Sequence, residues 1–181
     1  MLTLPPKKPE IFVIDTSAII HRIQYTAEDV RLATTPLLEK EMREKGLKES
    51  VDLLIATQKL QVITPTTTAL QRVRKAASQL GDLSFLSEPD QHLLALALDL
   101  RDQTFHPIVV TDDYSIQNVA KQLGLDIKSV TQRGIREIIR WEIYCKACGY
   151  QDAMMTKDEP CPVCGSPVKR RAIDKESLNA T

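Results

Sequence analysis

Apolar residues along this chain fall into two alternating kinds of run. Residues 11–14 and 107–111 are short, nearly continuous apolar runs, the mark of strands buried on both faces, and 62–63 and 125–129 read as two further short strands. Between them, apolar positions recur at helical spacing. Thr16 or Ser17 caps a helix to about residue 23, and Pro36 opens a second, PLLEKEMREKG, which Gly46 stops. A third spans 48–60, with Val51, Leu54, Ile55 and Leu60 on one face. A fourth spans 66–80, with Leu70, Val73, Ala77 and Leu80 as its stripe. Ser87 and Asp90 form a capping-box signal for DQHLLALALDLRDQ, a helix apolar on most sides and therefore expected at the centre. A sixth, 114–123, ends at Gly124. Strands alternating with helices predict an α/β domain over residues 1–130, a parallel sheet with helices on both faces. Beyond it, residues 131–142 are expected to be a helical connector, with the helix over 134–141. Residues 143–172 read as a small β ribbon, and 173–181 as a polar, disordered tail.

Composition adds little to this picture but excludes much. With 181 residues, 43% apolar and 27% charged, the chain has room for one medium domain and an appendage. The opening MLTLPPKKPE lacks the apolar core of a secretory signal, and the longest apolar stretch, near residues 93–98, is far too short to span a bilayer. A soluble, cytoplasmic protein without a membrane partner is expected. Phosphate-binding loops and dinucleotide fingerprints are missing, so no small-molecule cofactor is expected. The formal net charge is zero, which leaves any polyanion to be held by local patches. Arg133, Arg136 and Arg140 stand at i, i+3 and i+7 of the expected connector helix, and Lys169, Arg170 and Arg171 follow the last cysteine. Both groups are candidates for RNA binding, and both also read as solvated faces.

Candidate chemistry lies in two places. Cys145, Cys148, Cys161 and Cys164 are the chain's only cysteines. They form two CxxC pairs with twelve residues between them, each followed by glycine in CKACGY and CPVCGS. A CxxC turn aims two thiolates at one point, and two such knuckles supply the four soft ligands of a closed tetrahedral zinc site. Two disulfides would suit a secreted chain, and a redox pair would leave the other pair idle. One structural zinc ion is expected.

The second place is acidic. In a parallel α/β sheet, ligands bind beyond the carboxyl ends of the strands. Asp15 stands there in VIDTS, and Asp112 and Asp113 stand there in VVTDDYS. Glu41 is on the second helix, and Asp90 is in the first turn of the central one. Each alone also reads as a cap, a turn former or a solvated charge. Brought to one mouth, these carboxylates would repel one another unless a hard cation neutralised them. Mg²⁺ or Mn²⁺ on oxygen ligands drives in-line phosphodiester cleavage. The histidines His21, His92 and His106 share no ligand spacing and read as structural. IDTS lacks the DxDxT pattern of dehalogenase-like phosphatases. Trp141, beside the module junction, reads as packing rather than as a base-stacking platform.

Taken in order, IFVIDTSAII, the EKEMRE helix, SEPDQHLLALAL and VVTDDYSIQNVAKQLG resemble the PIN-domain ribonucleases. With the four-cysteine ribbon, the chain is similar to the archaeal form of the Nin-one-binding protein family. The resemblance covers nearly the whole chain, and TDDYSIQNVAKQLGL is its most specific stretch. It implies a PIN-like parallel sheet with a C-terminal zinc ribbon, and an endoribonuclease that matures the 3′ end of small-subunit ribosomal RNA. It implies Asp15, Glu41 and Asp90 as catalytic acids and metal ligands. The fourth falls in the Asp112–Asp113 pair, with Asp113 favoured, and Glu39 is a weaker alternative to Glu41. Ser17 and Thr111 are implied to bond to the carboxylates or to the metal's water, and Asn118 to brace the turn; simple capping would also explain them. One or two Mg²⁺ or Mn²⁺ ions would activate water to split the phosphodiester, leaving a 5′-phosphate and a 3′-hydroxyl. The implied partners are single-stranded precursor ribosomal RNA and the small-subunit precursor. The competing reading is an adaptor that binds RNA and the pre-ribosome with weak or no cleavage. Clustered acids, for which a scaffold has no use, favour the enzyme.

Overall fold

In the computed structural model, which describes residues 8–20, 30–131, 134–152 and 159–177, the apolar run EIFVI becomes strand β1 (Glu10–Ile14), the middle of a five-stranded parallel sheet. On one side it pairs with β2 (Leu32–Thr34), which pairs with β3 (Leu60–Val62). On the other it pairs with β4 (His106–Val110), which pairs with β5 (Asp126–Lys128). The helices are α1 (Thr16–Ile20), α2 (Pro36–Glu44), α3 (Lys48–Ala56), α4 (Thr67–Leu80), α5 (Glu88–Gln103) and α6 (Tyr114–Gln122). α5 is central, as its sequence requires. Residues 93–98 and Leu100 are all buried, and the helix packs on α4, β4 and β1. Each such leucine contributes about 1.5–3 kcal/mol through burial. No helix among the described residues is long and apolar enough to cross a membrane.

Three boundaries depart from the sequence reading. β2 was not expected, because LAT is too short to show a period. It exists because β1 and β3 flank it, and its buried Thr34 hydroxyl donates to the Ile14 carbonyl (3.0 Å). α3 stops before Leu60. Gln58 takes φ +56, and the amides of Gln58 and Lys59 donate to the Ile55 and Leu54 carbonyls (both 2.9 Å), so the chain turns out of the helix and Leu60 begins β3. α1 is capped by Asp15 rather than by Thr16 or Ser17, since the Ala18 amide donates to Asp15 Oδ1 (3.1 Å). Residues 21–23 of that expected helix, with His21, lie outside the described residues.

The largest correction concerns the connector. The helix expected within residues 131–142 is not formed. Glu137–Cys145 is strand β6, antiparallel to β7 (Val168–Ser177), with a register shift between Arg140 and Trp141. EIIRWEIYC fits either period, and the partner strand decides. The arginine stripe disappears with the helix. Arg133 is outside the described residues, Arg136 precedes β6, and Arg140 lies 3.9 Å from Asp174 across the ladder. The tail expected to be disordered from residue 173 instead continues β7 to Ser177.

The β6 strand of the hairpin packs against α4 and α6. Gly81, the α4 cap with φ +71, lies so close to the Trp141 carbonyl that a Cβ there would overlap it. Gly81→Ala therefore meets a steric clash as well as the left-handed backbone, which alone costs about 1–2 kcal/mol with a Cβ present. A fall in Tm of at least about 2–8 °C is expected for a chain of this size. Thermal unfolding checks it, and an unchanged Tm would show that the hairpin does not press on this helix end.

Candidate active site and metal centre

Ile14 of β1 and Val110 of β4 are in register, so Asp15 and Thr111 follow side by side at one mouth of the sheet. Asp15 is buried, and its Oδ1 accepts from the Ser17 hydroxyl (2.6 Å) and the Ala18 amide (3.1 Å). Asp90, in the first turn of α5, accepts at Oδ2 from the Ser87 amide (2.9 Å) and hydroxyl (2.7 Å), completing the expected capping box. Burial raises the Asp90 carboxyl above its ordinary range against those Ser87 bonds, and the charges of Asp113 and Asp15 raise it further. Asp113 is the exposed N-cap of α6. Its Oδ1 accepts from the Ser115 (2.6 Å) and Ile116 (3.3 Å) amides, and its own amide donates to Thr111 Oγ1 (3.1 Å).

Asp112 turns the other way, as neighbours at a strand end do. It accepts from the Val130 amide (2.8 Å) at Oδ1 and from the Thr131 hydroxyl (2.5 Å) at Oδ2, tying the β4–α6 turn to the segment after β5. Buried Gln117 completes the brace. Its Nε2 donates to the Thr111 carbonyl (2.9 Å) and to Ser129 Oγ (3.0 Å), and its Oε1 accepts from the Ile135 amide (2.9 Å). Gln117 thus has the role expected of Asn118. A glutamine beside the apolar stripe of an amphipathic helix gives no sign of this.

Glu41 lies on α2, which packs on α1 and α5, and its Oε1 pairs with Lys45 Nζ (2.5 Å). Glu39 pairs with Arg43 Nε (2.5 Å), whose other arm reaches Asp52 of α3 (2.8 Å). Glu39 is locked in a clasp between two helices. The Glu41 pair is a partly exposed one within a single turn, worth at most about 1 kcal/mol. Among the described residues, the four cysteines are the donors drawn together closely enough to hold an ion, and the acids stand further apart. Hard carboxylate oxygens that repel one another suit Mg²⁺ or Mn²⁺ rather than a soft metal.

The cysteine centre closes the far end of the hairpin. All four Sγ atoms lie within 4.8 Å of one another, with Cys145 and Cys164 at 3.4 Å and Cys148 and Cys161 at 3.5 Å. The two knuckles repeat one turn. The Gly149 amide donates to the Cys145 carbonyl (2.9 Å) and the Gly165 amide to the Cys161 carbonyl (2.8 Å). The Cys145 and Cys161 amides donate to the Tyr150 (2.8 Å) and Ser166 (3.0 Å) carbonyls. The side-chain and backbone hydrogen bonds of Ser166, then Cys145 and Cys148, bring the Cys164 thiol down to about 6. Cys148 is pushed up to about 12. The backbone hydrogen bond of Tyr150 favours its thiolate, but desolvation and the three other sulfurs outweigh it. One thiolate forms readily here, and the full set needs a cation. Four soft donors in this arrangement suit one zinc.

Between the two centres lies a junction that the sequence did not announce. Asp82, after the α4 cap, is almost fully buried and accepts from Arg170 Nη1 (3.0 Å) and Asn118 Nδ2 (2.5 Å). Burial raises its carboxyl, while Asn118 and Arg170 hold it down and Asp113 adds to the rise. Asn118 also grips β6, donating to the Ile139 carbonyl (2.7 Å) and accepting from its amide (2.8 Å). The Arg170 guanidinium stacks between Phe85 and Trp141, 4.0 and 4.1 Å from the ring centroids. Arg170, expected on the RNA-binding surface, is therefore a docking residue, and Trp141 packs between the modules. Arg171 pairs with Glu142 (2.8 Å) over the Tyr144 ring, and Lys169 is exposed. Beside the junction a cleft of about 330 Å³ opens between the start of α6 and the hairpin.

A family model described as the PIN domain of ribonuclease matches residues 12–100. Endoribonuclease Nob1 of Pyrococcus abyssi is 36% identical over 157 residues, covering 87% of this chain and 91% of that protein. Endoribonuclease Nob1 of Archaeoglobus fulgidus is 33% identical over 172 residues, covering 94% and 97%. The chain belongs to the archaeal Nob1 family of PIN-domain endoribonucleases. Ribonuclease VapC3 of Aeropyrum pernix is 41% identical over 129 residues, 71% of this chain and 92% of that protein. The A. fulgidus match is long enough to take in the cysteine hairpin as well as the sheet. For a PIN-domain endoribonuclease the substrate is RNA, and dependence on a divalent metal is typical of PIN domains.

Proposed function

We propose that this chain cleaves precursor small-subunit ribosomal RNA at its 3′ end, using Asp15, Asp90, Asp113 and Glu41 to hold one or two Mg²⁺ or Mn²⁺ ions. The observation that carries the reading is the register of Ile14 with Val110, which sets Asp15 and the Asp112–Asp113 turn at one end of the sheet. The Asp90 carboxyl supports it, since burial raises it and the charges of Asp113 and Asp15 both raise it further. A bound divalent cation would supply charge neutralisation and Lewis acidity at the scissile phosphate. The chain's own residues position the acids. Ser17 and Ala18 orient Asp15, Ser87 orients Asp90, and the first turn of α6 orients Asp113. The names of the Nob1 relatives support cleavage; the ribosomal substrate rests on the family resemblance. The reading treats residues 1–130 as the nuclease core and the zinc hairpin as a second module that grips RNA or the precursor particle, in the cytoplasm. Arg136, Arg140, Lys169 and Arg171 are its candidate phosphate contacts, and Arg133, a candidate from the sequence, lies outside the described residues.

Incubating the protein with a precursor fragment that spans the mature 3′ end, with Mn²⁺ and with EDTA, tests this directly. Cutting at that end, leaving a 5′-phosphate and abolished by EDTA, is expected. Binding without cutting would return the chain to the adaptor reading. The aspartate pair gives a finer test. Asp113→Asn keeps a good helix cap and is expected to slow single-turnover cleavage at least about tenfold more than Asp112→Asn. Asp112→Asn is expected to lower stability instead, by about 1–3 kcal/mol, because it weakens the bonds to Val130 and Thr131. A reversed ranking would move the ligand role to Asp112.

A further inference from the structure

We infer that the cleft between the start of α6 and the hairpin holds one unpaired nucleobase of the RNA, a base carrying an exocyclic amino group, beside the acidic mouth. The inference deepens the nuclease reading and rests on it. The cleft measures about 330 Å³, and Tyr114, Trp141, Ile135 and Ile139 line it beside the polar Asp82, Ser115, Asn118, Glu137 and Arg170. Flat and apolar side chains like the first four hold a planar ring, and aromatic side chains stack on any base. The charged groups decide which part of the RNA enters. Arg170 stands 3.0 Å from Asp82, and Lys175 stands 3.3 Å from Glu137. These pairs leave no net positive charge on that wall to draw a phosphate inward, whereas a neutral base needs none.

Hydrogen-bonding capacity narrows the choice further. The Asn118 amide is committed to Asp82 and to both backbone groups of Ile139. The Glu137 carboxylate only accepts, so it favours an exocyclic amino group such as that of cytosine; the imino N–H of uracil lies between two carbonyl oxygens that a carboxylate repels. The cleft also adjoins one of the acids, since Tyr114 and Ser115 on its wall directly follow Asp113 at the start of α6. A base seated here belongs to a nucleotide close to the scissile phosphate.

Trp141 is the chain's only tryptophan, so its fluorescence reports on this cleft. The test titrates full-length, zinc-loaded Asp15→Asn protein with single-stranded oligocytidylate and oligouridylate, with filter binding in parallel. Oligocytidylate is expected to change Trp141 fluorescence and to bind about tenfold tighter than oligouridylate, the size of one good base-edge contact. Added Tyr114→Ala is expected to raise its Kd about tenfold, the loss of one base–aromatic stack, and Tyr114→Phe to restore it. Glu137→Gln, which gives the wall a donor, is expected to erase the preference for cytosine. Failure of both oligonucleotides to bind, binding that leaves Trp141 unchanged, or an equal or reversed response would overturn the inference. Neither readout uses cleavage. A wild-type protein that responds in this assay but does not cut RNA would sink the nuclease reading alone, and one that cuts without this response would sink the cleft alone.

Discussion

Cys161→Ser is expected to empty the zinc site and melt the far end of the hairpin while the α/β core stays folded. The knuckles have almost no apolar interior of their own. Cys145 and Cys161 are buried, but Cys148 and Cys164 are exposed, and Val163 beside them is 65% exposed. A zinc ion held by the four thiolates would therefore be the staple. Metal binding of about 10–16 kcal/mol is typical of such thiolate sites and appears as folding energy. A serine hydroxyl replaces a soft anionic ligand with a poor neutral one. The base of the hairpin does not depend on the metal to the same degree. Arg170 remains between Phe85 and Trp141, and Asn118 remains bonded to Ile139. Elemental analysis should fall from about one zinc per chain toward none, with amide exchange accelerating around residues 145–152 and 161–168 but not in α5. Wild-type protein that holds no zinc when purified without chelator, or that forms a disulfide among these cysteines in reducing buffer, would overturn the assignment.

Asp15→Asn is expected to leave the fold intact and reduce cleavage by a factor on the order of 10²–10³, the scale seen when one preorganised electrostatic group is removed. The change is nearly isosteric, and the asparagine oxygen can still accept from the Ser17 hydroxyl and the Ala18 amide. What disappears is a ligand charge. Without cation, the variant also loses a repulsion on Asp90, so its Tm should not fall below that of the wild type. The rise in Tm that Mn²⁺ gives the wild type through binding linkage should shrink. RNA affinity should persist, since phosphate contacts come from Lys and Arg. Wild-type cleavage by the purified variant would remove Asp15 from the mechanism. Lost cleavage with an undiminished Mn²⁺ response would make it an orienting group instead of a ligand.

Much of this protein is written in short stretches of its chain. The capping box at Ser87 and Asp90, the all-round apolar face of α5, and the two CxxC–Gly knuckles are each set by residues within a few positions of one another. Local sterics and local hydrogen bonds settle them before any tertiary contact forms. The position of Asp15 and of the Asp112–Asp113 pair at strand ends was legible for the same reason. Orientation was not. Asp112 faces Thr131 only because the segment after β5 lies alongside that turn, while the Asp113 cap on α6 is made locally.

Other features required partners that are distant in sequence. β2 is a strand because two others enclose it, and EIIRWEIYC is a strand rather than a helix because β7 returns beside it with a matching ladder. Asp82 carries no mark in GDLSFLSEP. Its burial is tolerable only because Arg170, 88 positions away, brings a positive charge to it. The same pairing withdraws Arg170 from the surface where its sequence neighbours Lys169 and Arg171 suggested it would lie. The sequence by itself determined most of the helices, the cysteine knuckles and the strand-end places of Asp15 and the Asp112–Asp113 pair, because short-range backbone geometry specifies them. Tertiary structure alone decided which charges face each other and where the hairpin docks, because burying a charge depends on what long-range folding places opposite it.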